Sequence, residues 1–148
     1  MGTFSAKVDT VSPALSLDII ATSGSNGWYV SPATITAIGS DSTSGLSSVF
    51  LSVDNGAGIS STTLNEGMYR IVVQAEDNAG NIANSTTTIS VDTTTPMIDV
   101  SVNGTTGSNG WYSSSMQVSA TSNDATSGVA SLESSLDGGV YQAYTSPF

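Results

Sequence analysis

The sequence predicts an all-β protein, an antiparallel β-sandwich built as tandem repeats with the second repeat truncated. Three observations predict it. Short runs that alternate apolar and polar residues recur along the chain, separated by Asn, Asp and Gly turn signals at intervals of about ten residues. No window shows helical spacing with caps. The chain also repeats itself at a fixed offset of 83 residues: laying 8–65 on 91–148 gives 22 identical pairs in 58, with no gap.

The elements follow in order. Residues 3–7 stand where 86–90 stand one repeat later, so 1–7 are expected to be the tail of a preceding unit. Residues 8–91 are expected to form one complete domain, and 92–148 the N-terminal portion of a second. The first strand is "ALSLDII", where Leu15, Leu17 and Ile19 alternate with polar residues and define one buried face. Ile98, Val100 and Val102 keep that pattern in the second copy. "GSNGWY" follows, at 24–29 and again at 107–112, with Asn-Gly as the turn because both residues tolerate positive φ. "ATITAIG" is the next strand, with Ala33, Ile35 and Ala37 inward, and "DSTSG" turns the chain. "LSSVFLSVD" places Val49, Leu51 and Val53 inward, and a weak strand is expected near Ile59.

Tyr69, Ile71, Val73 and Ala75 then share one face of a long strand. Leu64, Gly67 and Tyr69 have the spacing of a tyrosine corner, in which the Tyr hydroxyl bonds backbone across a bend. "DNAGN" turns the chain into a last strand through "STTTISV". "VDTTTP" at 91–96 joins the units with little slack, and Pro96 restricts the chain as the next strand begins.

Composition excludes several functions. The 148 residues carry 12 acids and two bases, Lys7 and Arg70, for a net charge of −10. Phosphate backbones and anionic lipid surfaces are repelled by such a chain, so nucleic acid is excluded as a partner. No stretch has the apolar length of a membrane span. Without Cys or His there is no disulfide, no thiolate or imidazole metal site, and no nucleophile–His pair. Glu76 and Asp77 are neighbours on a strand and point to opposite faces, which does not suit a carboxylate pair across a cleft. No catalytic residues are assigned. Ser and Thr total 47 residues, a composition that competes with folding as a disordered stalk, and the ordered alternation decides against it.

The ordered series "VDT…P", "NGWY", "D.TSG", "DGG", "L.EG.Y" and "DNAGN" resembles the bacterial immunoglobulin-like (Ig-like) repeats of secreted and cell-surface proteins. The resemblance runs from Val8 onward, though the second copy lacks the last two blocks. It implies an Ig-like sandwich, an extracellular or cell-surface location and a non-catalytic role as spacer or stalk. The alternative it implies is an adhesin or carbohydrate-binding module.

In an Ig-like topology the chain before the first strand, the "DSTSG" turn and the "DNAGN" turn meet at one end. That gathers Asp9, Asp41, Asp77 and Asn78, oxygen donors suited to calcium, with Asp92 and Asp124 at the matching end of the second unit. The competing reading is that Asp and Asn occupy turns because their side chains bond local backbone. Trp28, Tyr29, Trp111 and Tyr112 are the candidate platform for polysaccharide or a surface protein. Aromatics after a turn more commonly plug the end of a sandwich, and adjacent residues of an extended pair expose one ring at most. Asn84 and Asn103 begin N-glycosylation sequons. The remaining expected partners are neighbouring repeats.

Overall fold

The computed structural model describes residues 3–148. Two compact units divide between Thr93 and Thr94.

The first unit contains β1 (Ala14–Ile20), β2 (Trp28–Tyr29), β3 (Ala33–Ser40), β4 (Leu46–Val53), β5 (Ser61–Leu64), β6 (Gly67–Asp77) and β7 (Ile82–Val91). They form two sheets, ordered β1-β3-β5 and β2-β7-β6-β4. Pairing is antiparallel except for β2, which runs parallel to β7. The alternation read from sequence sets the registers. Leu17 opposes Ala37 and Ile19 opposes Ile35 in one sheet; Leu51 opposes Val73 and Val53 opposes Ile71 in the other. Ala33, Ile35, Leu51, Ile71, Val73, Ile89 and Val91 are buried, with Leu15, Leu17 and Ile19 packed against them. Each large aliphatic chain removed from water in this way contributes about 1.5–3 kcal/mol.

One strand is not expected from periodicity. β5 carries a single buried apolar residue, Leu64, among Ser and Thr. Hydroxyl pairs hold it to β3 on the outer face: Thr34 meets Thr63 at 2.9 Å, and Thr36 meets Ser61 at 3.0 Å. Such cross-strand pairs let Ser and Thr support a sheet instead of dissolving it.

The second unit contains β8 (Met97–Asn103), β9 (Gln117–Asn123), β10 (Glu133–Ser134) and β11 (Gln142–Ala143), as two antiparallel pairs. β8 and β9 repeat the β1–β3 register, Val100 opposing Ala120 as Leu17 opposes Ala37. None of the unit's described residues is buried. Ile98, Val100 and Val102 are all exposed, since the strands of the unit's other sheet, β10 and β11, are two residues long and leave that face largely open. Tyr144 and Phe148 give partial cover. The Ala120 N–H donates to the Tyr144 hydroxyl at 3.0 Å, Phe148 and Val118 exchange backbone bonds, and the two rings meet edge to face at 6.5 Å.

Candidate functional site

Three of the acids singled out in the sequence converge at one end of the first unit. One carboxylate oxygen from each of Asp9, Asp41 and Asp77 lies within 4.8 Å of the others. Asp9 precedes β1, Asp41 opens the β3–β4 turn, and Asp77 ends β6. Asp77 is buried, and the other two are half-buried.

Turn bonds occupy these oxygens. Asp41 Oδ1 accepts the N–H groups of Thr43, Ser44 and Gly45 at 2.8–3.0 Å. Asp9 Oδ1 accepts the Val11 N–H, and its Oδ2 accepts the Ser44 N–H at 3.0 Å. Asp77 Oδ1 accepts the Ala79 and Asn81 N–H groups, and its Oδ2 accepts the Asn81 amide at 2.7 Å.

The bonds act on ionisation. The Ser44 side chain first, then the Val11 N–H, hold the Asp9 carboxyl below its ordinary range, against burial and the charge of Asp77. Burial is the largest influence on Asp77 and pushes it up. The Asn81 side chain and the N–H groups of Asn81 and Ala79 together outweigh that, so its carboxyl also lies low. Both are therefore carboxylates at neutral pH.

Asn78 and Asn81 tie the turns together. The Asn78 amide donates to the Ser44 carbonyl at 2.9 Å, and the Asn81 amide reaches the Asp9 carbonyl at 3.2 Å. Asn81 was not singled out in the sequence, although "DNAGN" contains it; its signal was the turn block itself. Asp92 and Asp124 fall in different units. Asp92 belongs with the first because its N–H donates to the Tyr29 carbonyl at 2.8 Å. Asp124 caps its own turn, accepting the N–H groups of Thr126, Ser127 and Gly128 as Asp41 does in the first unit.

The Trp–Tyr turn has different surroundings in the two units. Trp28 and Tyr29 form β2 and are half-buried beside Ser90 and Val91 of β7. The Gly24 N–H closes the turn on the Trp28 carbonyl at 2.8 Å, and Asn26 takes a φ of 54°. The same turn recurs as Gly107 N–H to Trp111 carbonyl at 2.7 Å, with Asn109 at 57°. Trp111 is nevertheless 77% exposed and Tyr112 38%. Both rings of the second pair thus face solvent, against the expectation of one at most; among the described residues no strand pairs beside them as β7 pairs beside β2.

Across the β5–β6 bend the Tyr69 hydroxyl donates to the Glu66 carbonyl at 3.0 Å. Leu64 is buried below it, and Gly67 holds a φ of 136° that L side chains rarely adopt. A Cβ on Gly67 would sit 3.3 Å from the Tyr69 hydroxyl. This is the tyrosine corner the spacing predicts.

Residues 33–93, from β3 to the end of the first unit, match the family model of the bacterial Ig-like domain. Over these residues the chain is similar to a bacterial Ig-like domain. Bacterial Ig-like domains are typically non-enzymatic structural modules and are common in surface and secreted proteins. No curated protein and no solved structure matches the chain.

Proposed function

We propose that the chain is a spacer module of a multidomain surface or secreted protein, a stiff bead that holds a functional domain away from a surface. The observation that carries this reading is how the polar groups of the Ig-like domain are used. The carboxylates of Asp9, Asp41 and Asp77 accept turn N–H groups, and Tyr69 spends its hydroxyl on a bend. These groups hold a shape.

The exit segment supports stiffness. After β7 the Asp92 N–H bonds the Tyr29 carbonyl, and the Thr93 N–H and hydroxyl both donate to Glu66 Oε2 at 2.8 and 2.9 Å. The domain grips its own exit as far as Thr93, three residues short of Pro96. Small-angle scattering on the chain and on a variant with a Gly-Ser insertion after Thr94 tests the reading. The insertion is expected to broaden the distance distribution. A distribution already broad in the parent chain, and unaltered by the insertion, refutes the stiff form.

A cation-clamped form of the spacer draws on the meeting of Asp9, Asp41 and Asp77. The turn bonds account for that meeting without an ion, so the apo-stable form is preferred. The alternative of a carbohydrate-binding or adhesive module draws on the exposure of Trp111 and Tyr112. It requires Trp111 emission to shift with a polysaccharide.

A further inference from the structure

Four Asn-Gly pairs occur in the chain, at 26–27, 55–56, 103–104 and 109–110. Glycine after Asn is the easiest partner for ring closure, since no Cβ blocks the approach of its nitrogen to the Asn side-chain carbon. That approach needs the glycine nitrogen in line with the Asn Cβ. The Asn ψ is then about −120°, its value at the first central residue of a type II′ turn.

The pairs sit differently in their turns. Asn26 and Gly27 are the central residues of the turn Ser25–Trp28, which the Trp28 N–H closes on the Ser25 carbonyl at 3.0 Å. Their φ values, 54° and 81°, make it type I′. Asn109 and Gly110 do the same between Ser108 and Trp111, with φ values of 57° and 81° and a closing bond of 3.2 Å. In both, the Asn-Gly peptide is the central peptide of the turn. Among the described residues neither its glycine N–H nor its Asn side chain has a hydrogen-bond partner. A type I′ turn becomes type II′ by flipping that one peptide, which carries ψ of the first central residue from about +30° to about −120° and keeps the closing bond. For Asn26 and Asn109 this flip is the ring-closing motion.

Asn55 stands one place later in its turn. Asp54 and Asn55 are the central residues there, with φ values of 49° and 64°, and the Gly56 N–H itself closes the turn on the Val53 carbonyl at 2.8 Å. Arg70 Nη1 also donates to Asn55 Oδ1 at 3.1 Å. Swinging the Gly56 nitrogen toward the Asn55 side chain breaks the closing bond and pulls against the Arg70 bond. Asn103 ends β8 opposite Gln117 and lies in no turn of this kind.

We propose that Asn26 and Asn109 are sites of spontaneous deamidation, and that its place in the turn spares Asn55. The glycine nitrogen gives its proton to a solvent base and bonds to the Asn Cγ; the side-chain nitrogen takes up a proton and leaves as ammonia. Water opens the resulting succinimide at one of its two carbonyls, giving aspartate or isoaspartate. Each conversion adds one carboxylate to a chain already at −10. The isoaspartate product lengthens the turn backbone by one carbon, and at Asn26 it does so just before β2. The extent of conversion records the age of the folded chain.

Peptide mapping by mass spectrometry, over a time course in mildly alkaline buffer, tests this on the 148-residue chain. Asn26 and Asn109 are expected to convert about tenfold faster than Asn55 or more, the factor set by one such bond broken before closure. Isoaspartate is expected among the products at both sites. In denaturant no turn holds either pair, and Asn26 and Asn55 are expected to convert at similar rates. Conversion of Asn26 no faster than Asn55 in the folded chain overturns the proposal. So does a rate difference that denaturant leaves intact, which would assign it to the neighbouring residues and not to the turn. Aspartate formed without isoaspartate overturns the ring-closing route.

Discussion

Replacing Tyr69 by Phe removes one oxygen and leaves the ring in place. The lost contact is the bond to the Glu66 carbonyl, 3.0 Å long and made between uncharged groups. Such a bond contributes about 0.5–1.5 kcal/mol net. Tyr69 is half-buried, so water can reach the abandoned carbonyl, and the cost falls near the middle of that range, at about 1 kcal/mol. For a domain of this size 1 kcal/mol corresponds to about 4–8 °C in Tm. The two units need not unfold together, so a whole-chain transition would mix them. Trp28 emission in a Trp111→Phe background reports the first unit alone. Gly67→Ala should cost more, because it forces a side chain into a φ of 136° and crowds the same hydroxyl. A Tyr69→Phe midpoint within about 1 °C of the parent would refute the assignment of the corner as a stabilising bond.

Three further outcomes are expected. Leu51→Ala, at a fully buried position, should destabilise the first unit by about 3–5 kcal/mol in urea, while Val100→Ala on the exposed face of β8 should cost below about 0.5 kcal/mol; equal effects would contradict the difference in burial. Asp9 and Asp77 have lowered folded pKa values, so their contribution is complete above the unfolded value of about 3.9 and is lost as pH falls through the lower folded values. Asp77→Asn should therefore flatten the acid limb of the stability profile, and an unaltered limb would show that its turn bonds carry no linkage. Calcium in millimolar excess should leave the Trp28-reported Tm unchanged if turn bonds suffice, whereas a rise that Asp41→Asn abolishes would establish the cation-clamped form.

Strands with a two-residue rhythm were legible in the sequence, because β1, β3, β4, β6 and β7 each present aliphatic residues to one core. The convergence of Asp9, Asp41 and Asp77 was legible for a related reason. Each sits in a turn signal, and the topology alone brings those turns together. β5 was not, since Leu64 is its one buried residue and hydroxyl pairing leaves no periodic trace. β2 has two residues, too few for any rhythm, and becomes a strand only because β7 lies beside it. The exposure of Trp111 and Tyr112 was hidden for the same reason, as it depends on a neighbour that local sequence does not encode. The grip of Glu66 on Thr93 was missed too, since a Glu before a Gly bend carries no mark of its partner.

The parallel contact between β2 and β7 governs how the Ig-like domain bears tension. A pull along the chain leaves through Thr93, directly after the residues paired to Trp28 and Tyr29. Parallel strands drawn along their length are sheared, so their bonds share the load and do not open one at a time. At the other terminus the pull enters at Asp9, tied by its carbonyl to Asn81 and by its carboxylate to Ser44. Both points of attachment are thus cross-linked to a neighbouring strand or turn before force reaches the core. If the domain is stretched, the first barrier to extension lies in these small clamps, and their rupture rate sets its lifetime under that load.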